Sequence, residues 1–458
     1  MASHEAEHAS ANAPYSIQLL FCTEQSSSFV IREKDNYGEY PNIFAKVYYT
    51  DEGRKPIVVI LSDTGTGLNA PGGSTTRPSS QNPVKWNIAT FLSTTVNQNH
   101  AAPYIVLTTH CHYDHIMGIH QLLEANAQVT MFSSSHDKNY LTPWRNLQKH
   151  SLCELIGLKA PVYDARWIDD VQRLPFTDSD GTKKQSSVTV IHTPGHTPDS
   201  ISWYDRDSST LCVGDMFYEK ESDETRSGSQ GRWSREPVQP VIFTHDSNIV
   251  DWNASMHRLL DFVRYENRRM GTEERSDAGY RQTGQGVPLT FIETSKEDWS
   301  FISATPARRR VVLCAAHVTI ATDAEFALLN MLAFMLRIQL DQVSKKRTTD
   351  IEGGDDAWLW DDCLDQHSKG SSSCQYSVKA PWSIVHRRDT LINVEPQVTI
   401  SRVRSKDSRT LMQMTTTSSG QAQLTSAALA SVSHSSALAN RPPPNVYADP
   451  GMKTGRNT

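Results

Sequence analysis

The chain has 458 residues, of which 38% are hydrophobic, and its 51 acidic side chains outnumber its 45 basic ones, giving a net charge of −6. The length suffices for several domains of about 150 residues each. Glycine and proline are too few for a collagen-like chain. A net negative charge without a lysine- or arginine-rich block disfavours electrostatic binding to nucleic acid or to an anionic membrane.

The amino-terminal segment and the cysteines indicate a cytoplasmic protein. Residues 1–15 are polar and acidic without the apolar stretch of a secretory signal, so we expect a disordered leader. The seven cysteines are scattered and odd in number, which argues against a disulfide scaffold. The most apolar helical stretch, 326–340, contains Arg337 and is shorter than the roughly 20 residues of a membrane span.

From residue 16 onward, short apolar runs flanked by polar or turn residues predict β-strands. In chain order these runs are IVVIL (57–61), YIVLT (104–108), VTMF (129–132), VTVI (188–191), ISWY (201–204), TLCV (210–213) and VVLC (311–314). Helical patterns lie between them at 118–125 and 251–268, and a capping box, Thr322 to Glu325, opens a helix over 326–340. The alternation predicts an α/β domain over 16–343.

The remaining segments are predicted to lie outside this core or on its surface. Two polar inserts, 221–240 and 271–310, are predicted to be surface loops. Residues 344–404 form an extension whose apolar segments could pack on the core. Residues 405–458 are rich in Ser, Thr, Ala and Pro, and such a composition cannot bury enough apolar surface to offset the entropy of ordering. We therefore predict a disordered, low-complexity C-terminal tail.

The segment HCHYDH (110–115) follows the strand YIVLT and carries three histidines and one aspartate. Imidazole is a preferred ligand of zinc, and a carboxylate supplies an anionic donor. In an extended backbone His110 and His112 point the same way, whereas Asp114 and His115 follow where the chain turns into a helix. This spacing favours two metal ions a few ångströms apart over a single ion.

Three more residues of the metal-binding types follow apolar strands. His196 lies in the turn HTPGHTP after VTVI, Asp215 follows a glycine after TLCV, and His317 follows VVLC. Together with the segment 110–115, the same arrangement occurs four times: a short apolar strand, then a metal-binding residue type at its carboxyl end. The repetition predicts one metal centre.

The ordered set H-x-H-x-D-H, HTPGH, Gly-Asp and a later His resembles the metallo-β-lactamase superfamily over about 50–340. The resemblance implies a four-layer αββα sandwich with the metal site at one edge of two sheets. It also implies two zinc ions per chain: the first bound by His110, His112 and His196, the second by Asp114, His115 and His317, with Asp215 bridging them. Asp63, in an early D-x-G, would support the site structurally.

Two positions depart from the pattern of the superfamily, and other side chains are assigned lesser roles. His317 stands between two apolar residues where Gly-His is common, and Asp199 stands where a small residue is common. Among the other side chains, His192, Cys111 and Cys314 are expected to be structural. Candidates for lining the substrate pocket are Tyr113, His136 and His245.

The implied activity is hydrolysis of a small ester, thioester or lactone. Two zinc ions roughly 3.5–4 Å apart can share a water and lower its pKa toward about 7, so that a zinc-bound hydroxide attacks the substrate. Asp114 would orient this nucleophile and relay a proton, and no G-x-S-x-G nucleophile elbow is present. The alternatives are a mononuclear iron dioxygenase of sulfur compounds with the same fold, and a metal-stabilised binding protein. The expected partner is a small molecule, not nucleic acid or a membrane, and the oligomeric state is left open.

Overall fold

The computed structural model of the protein describes residues 14–50, 55–67, 86–178, 181–219, 240–278, 310–348, 357–361, 376–386, 398–404 and 410–416. For 273–278, 398–404 and 410–416 it describes the backbone alone. The predicted leader up to residue 13, most of both predicted surface loops and most of the predicted tail lie outside these residues.

The first sheet has seven strands, paired in chain order. They are β1 (Tyr15–Cys22), β2 (Ser26–Glu33), β3 (Asn42–Tyr49), β4 (Pro56–Ser62), β5 (Tyr104–Leu107), β6 (Val129–Ser134) and β7 (Ala165–Ile168). Strands β1 to β4 are antiparallel neighbours, and β4 to β7 run parallel. Every residue of β5 is buried, as expected of a parallel strand covered on both faces.

The second sheet has six strands: β8 (Gln172–Thr177), β9 (Lys183–His192), β10 (Ile201–Asp205), β11 (Thr210–Cys212), β13 (Val312–Cys314) and β14 (Thr322–Asp323). Their order across the sheet is β14-β13-β11-β10-β9-β8. Only β11 and β13 pair in parallel, and the other neighbours are antiparallel. All the predicted apolar runs therefore lie in strands of these two sheets.

The two sheets face each other across an apolar interior. Its buried side chains come from both sheets and include Phe44, Ile60, Leu107, Val190, Trp203 and Cys314. The outer face of the first sheet packs against residues of α1 (Ile88–Thr94), α2 (Tyr113–Ile116), α3 (Ile119–Glu124), α4 (Lys138–Leu141) and α5 (Trp144–His150). The outer face of the second packs against α6 (Ile249–Ala278) and α7 (Ala324–Gln339). The αββα sandwich expected from the sequence is confirmed.

Two helix boundaries differ from the sequence-based expectation. Helix α6 continues ten residues past the predicted end at 268 and takes the first part of the predicted loop 271–310 with it. Helix α7 is capped by Asp323, whose side chain accepts a hydrogen bond from the Phe326 N–H at 2.9 Å, and not by Thr322. Of the described helices, none has both the length and the apolar character needed to cross a membrane.

The C-terminal extension adds a third sheet to this core. This sheet contains β12 (Val241–Ile242), β15 (Lys345–Thr348), β16 (Ala357–Asp361) and β17 (Ser377–Pro381), in the order β12-β17-β16-β15. Helix α8 (Trp382–Val385) follows β17 in the chain. Trp360 and Val378 are fully buried in the same apolar cluster as α6 and α7. A separate hairpin joins β18 (Val398–Arg404) to β19 (Thr410–Thr416), and β19 falls within the segment predicted to be a disordered tail.

Candidate metal centre

Strand direction brings the predicted metal-binding residues to one edge of the sandwich. In the first sheet β4 and β5 run parallel, so the residues after them emerge side by side. In the second sheet β9, β11 and β13 share one direction, because β11 pairs in parallel with β13 and both β9 and β11 are antiparallel to β10. The Ile201 N–H donates to the Thr109 carbonyl at 2.8 Å and ties the two sheets together at this edge.

Three histidines form the first cluster. The Nδ1 atom of His112 lies 3.0 Å from Nε2 of His110 and 3.1 Å from Nε2 of His196. All three side chains are buried. The strand ends of β5 and β9 therefore bring together the first predicted ligand set, whose members lie up to 86 residues apart in the chain.

Two histidines and two aspartates form the second cluster. Oδ2 of Asp114 lies 3.2 Å from Nε2 of His115 and 3.1 Å from Nε2 of His317. Oδ2 of Asp215 lies 3.5 Å and 3.4 Å from the same two nitrogens. All seven predicted metal-binding residues therefore lie in these two clusters.

The electrostatics of the two clusters differ. In the first, burial and then the neighbouring imidazoles lower the pKa of His112 to about 3 and hold that of His110 well below its usual value. In the second, burial alone would lower the pKa of His115, but Asp114 and Asp215 raise it well above its usual value. The first cluster consequently presents neutral nitrogen lone pairs, and the second combines imidazoles with carboxylates.

Both clusters fit a bound cation. A neutral imidazole has a single N–H donor, so three ring nitrogens that face one another cannot satisfy each other, whereas one cation satisfies all three. In the second cluster Oδ1 of Asp215 is buried and has no hydrogen-bond partner among the described residues. Burying a carboxylate oxygen without a partner costs free energy unless a cation binds it. A nitrogen and carboxylate set of this kind suits zinc, iron or manganese.

Residues 102–271 match the family model of the metallo-beta-lactamase superfamily. The matched segment is therefore similar to the metallo-beta-lactamase superfamily, and it holds six of the seven clustered residues, while His317 lies beyond it.

Individual relatives are distant. The Aspergillus versicolor protein named "Putative transcription factor avaE" is 26% identical over 205 residues, which make up 42% of this chain and 54% of that protein. The Bacillus subtilis (strain 168) protein named "Probable metallo-hydrolase YflN" is 28% identical over 123 residues, or 26% of this chain and 46% of that protein. The chain thus spans about half the length of these curated relatives. Among solved structures, the DIM-1 metallo-beta-lactamase exposed to ceftazidime is 14% identical, with 70% of this chain and 97% of that chain covered at a TM-score of 0.34.

Asp63 orients the segment 110–115. Its Oδ1 accepts the Thr109 N–H at 2.7 Å, and its Oδ2 accepts the Thr109 hydroxyl at 2.8 Å and lies 3.0 Å from Nδ1 of His115. A carboxylate on Nδ1 fixes the ring so that Nε2 is the atom offered to a metal. The supporting role expected for Asp63 therefore has a defined geometry.

The amino-terminal part of α6 and the loop before it hold the turn that carries His196. Side chains and backbone N–H groups of this segment donate to four carbonyls: Ser247 Oγ to His196 at 2.6 Å, Asn248 N to Gly195 at 2.8 Å, Ser255 Oγ to Pro194 at 2.7 Å, and Arg258 Nη1 to His192 at 3.0 Å. Trp252 Nε1 also donates to the carbonyl of Met216 at 2.6 Å, next to Asp215. One helix thus supports two ligand-bearing turns.

Glu39, which no sequence pattern singles out, supports the second cluster. Nδ1 of His317 donates to the backbone carbonyl of Glu39 at 2.8 Å, and the Glu39 carboxylate accepts the Tyr113 hydroxyl at 2.5 Å. Burial and the charge of Asp114 raise the pKa of Glu39 to about 7. A carbonyl acceptor leaves no signature in a sequence, although the surrounding Asp35–Gly38 segment has turn-forming composition.

The other candidate residues lie around the clusters and not in them. His192 lies with Nε2 at 3.0 Å from the carbonyl of Ile168, and its ring contacts that of His136 at a centroid distance of 6.0 Å. Cys111 and Cys314 are buried. Asp199 accepts the Thr197 hydroxyl at 2.7 Å within the HTPGHTP turn, and burial raises its pKa to about 7. His245 lies in the loop between β12 and α6.

Proposed function

We propose that the protein is a hydrolase of small esters, thioesters or lactones that works in the cytoplasm with two zinc ions. The observation that carries the proposal is the meeting of seven buried metal-binding side chains in two adjacent clusters, one of three nitrogens and one of two nitrogens and two carboxylates. The match of residues 102–271 to the metallo-beta-lactamase superfamily supports metal-dependent hydrolysis as the class of reaction. The acidic net charge of −6 favours a small-molecule substrate over nucleic acid or a membrane.

Each residue has a part in this proposal. His110, His112 and His196 would hold the first ion, and Asp114, His115 and His317 the second. Asp215 would bridge the ions, since one of its oxygens meets the second cluster and the other has no partner among the described residues. A bound pair of zinc ions would supply a water of lowered pKa and polarise the substrate oxygen.

The protein's own side chains then position the reacting groups. Asp114 lies between His115 and His317, where its carboxylate would orient the attacking water and carry its proton toward the leaving group. Asp63 and the Glu39 carbonyl hold the rings of His115 and His317 through Nδ1. A reaction of this kind requires no serine or cysteine nucleophile. In keeping with this, Cys111, which lies between His110 and His112 in the chain, is buried.

Metal analysis combined with a substrate panel tests this function. Purified protein, reconstituted in turn with zinc, iron and manganese, is assayed for bound metal and for turnover of ester, thioester, lactone and β-lactam substrates. We expect two zinc ions per chain and hydrolysis of at least one ester-type substrate. A stoichiometry of one ion, with iron-dependent oxidation of a thiol compound, would establish the mononuclear dioxygenase instead. Two ions without turnover would establish a binding protein.

The variant Asp215→Asn tests the bridging residue. The substitution preserves size and removes the charge, so zinc affinity should fall by about 100-fold or more, and hydrolysis with it, while the fold survives. Asp178→Asn is the matched control, because Asp178 is also buried but caps the turn between β8 and β9 by accepting the Thr182 N–H at 2.9 Å. Wild-type turnover and two bound ions in Asp215→Asn would contradict the bridging role.

A further inference from the structure

The loop between β2 and β3 is organised by one buried carboxylate. Asp35 is 2% exposed and accepts four backbone N–H groups. The donors are Tyr37 at 2.6 Å, Gly38 at 2.7 Å and Glu39 at 3.2 Å to Oδ1, and Tyr40 at 2.5 Å to Oδ2. A charged acceptor makes stronger hydrogen bonds than a neutral one, so this carboxylate is the main organiser of the loop.

The loop backbone has a conformation that it would not adopt unaided. Gly38 has φ of +87°, and Tyr40, which carries a side chain, has φ of +47°. Residues other than glycine are uncommon at positive φ, and they stay there only where surrounding contacts over-determine the conformation. The four bonds to Asp35 supply those contacts on both sides of Glu39.

The loop places the backbone carbonyl of Glu39 next to His317, a member of the second cluster. Glu39 accepts Nδ1–H of His317 at 2.8 Å, which fixes the ring with Nε2 facing Asp114 and Asp215. Immediately after the loop, the Asn42 N–H donates to the Ala316 carbonyl at 2.6 Å, so the chain leading to His317 is bound to the same segment. The described hydrogen bonds that support the first cluster come from the loop before α6, from α6 itself and from Thr109, and none of them involves the loop between β2 and β3.

We propose that Asp35 is a positioning residue for the second metal ion alone: its carboxylate sets the Glu39 carbonyl, and that carbonyl sets His317. The inference rests on the proposed two-metal function. Partners in the outer shell of a metal site contribute about 10–100-fold in metal affinity. Asp35 should therefore act on one of the two ions at that scale, although it touches no ligand.

The test is zinc titration of Asp35→Asn by calorimetry, with bound metal counted after dialysis. Asparagine keeps one acceptor oxygen but replaces the other by a donor that opposes the Tyr40 N–H. We expect wild-type affinity for the first equivalent of zinc and an affinity for the second equivalent lowered by about 10–100-fold. Asp178→Asn, which removes a buried charge that caps the turn between β8 and β9, should bind both equivalents as the wild type does.

Nuclear magnetic resonance of histidine-labelled protein at saturating zinc gives a readout that does not depend on affinity. The Nδ1–H proton of His317 should exchange slowly with solvent in the wild type and faster in Asp35→Asn, while the Nδ1–H proton of His115, which is donated to Asp63, keeps its exchange rate. Gly38→Ala disturbs the same loop by backbone strain without changing charge, and it should reproduce both effects.

The outcomes separate this inference from the proposed function. A wild-type protein that binds one equivalent would overturn the two-metal function, and the role of Asp35 with it. A wild type that binds two, together with variants that also bind two with unchanged affinity and exchange, would overturn the role of Asp35 alone. Equal loss of both equivalents in Asp35→Asn with a lowered melting temperature would show a general structural role and would likewise overturn the proposal.

Discussion

Gly195 lies where the turn that carries His196 meets helix α6, and there is no room for a side chain. Its φ is +142°, and a Cβ built on it would lie 2.2 Å from Cα and 2.3 Å from the backbone nitrogen of Trp252. Ordinary Cβ contacts are 3.4 Å or longer, so the turn and the helix would have to separate by about 1.2 Å. The obstacle is helix backbone, which cannot rotate aside as the end of a side chain can.

Gly195→Ala should therefore be costly in two ways. Overpacking costs about 1–3 kcal/mol, and holding a non-glycine residue at an unfavourable φ costs about 1–3 kcal/mol. The sum predicts a loss of about 2–6 kcal/mol in the free energy of unfolding. Because His196 is the next residue, and the Asn248 N–H to Gly195 carbonyl bond of 2.8 Å must lengthen, zinc affinity at the first cluster should fall by about 10–100-fold.

Gly157→Ala is the matched control for this measurement. Gly157 also has positive φ, +71°, but a Cβ on it would meet no atom of the described residues within 4 Å. Its alanine variant should lose only the backbone term of about 1–2 kcal/mol in urea unfolding and bind zinc as the wild type does. Equal losses in the two variants, or wild-type zinc affinity in Gly195→Ala, would refute the steric argument.

Two further predictions concern buried charges between and beside the sheets. Lys46 Nζ lies 2.8 Å from Asp205 Oδ1, and both side chains are 1% exposed. Because Lys46→Met leaves a buried charge without its partner, the free energy of unfolding measured in urea should fall by about 3–5 kcal/mol. The double variant Lys46→Met/Asp205→Leu should recover part of that loss. Burial alone would raise the pKa of Asp205, but Lys46 holds it below its usual value. The stabilisation that the ionised Asp205 contributes is therefore lost as pH falls through the lowered pKa. Lys46→Met should unfold at a higher pH on acidification, and an unchanged midpoint of acid unfolding would contradict this. Burial and the charge of Asp35 raise the pKa of Glu33 from 4.5 to about 8, so the folded chain keeps a proton that the unfolded chain releases, and stability should fall as pH rises across that window. Glu33→Gln should flatten the dependence of the free energy of unfolding on pH, and an equal pH dependence in the wild type and the variant would contradict the role of Glu33.

The grouping of the candidate metal-binding residues could be predicted because their chemistry is concentrated in the sequence. The segment 110–115 contains four residues of metal-binding types within six positions, and Asp215 and His317 follow strands whose residues are mostly apolar and mostly buried. Burial of this kind leaves a clear signal even in strands of three residues. The αββα arrangement followed from the resemblance that these motifs carry, not from the strands alone.

The amino-terminal strands and the outer supports of the site could not be predicted in the same way. Strand β3 buries Lys46, whose partner Asp205 is 159 residues away, so the charge appears in the sequence as a solvent-exposed position. The supports of the ligands are mostly backbone carbonyls, such as those of Glu39 and Gly195, and every residue has one. Their importance arises only from the fold that aims them.

The two clusters depend on supports from different parts of the chain, so the distance between two ions bound there would depend on how those parts pack. The first is held by α6 through the turn of His196, and the second by the Asp35 loop through His317. In the proposed site Asp215 would connect them, and it follows β11 in the second sheet, whereas the segment 110–115 follows β5 in the first. The spacing of two bound ions would therefore depend on how the two sheets pack at this edge, where Ile201 and Thr109 join them. Changes in the interior between the sheets should disturb both proposed sites together, and so should changes in α6, which supports the turn of His196 and, through Trp252 and Met216, the turn of Asp215. Changes in the Asp35 loop should disturb the second proposed site alone.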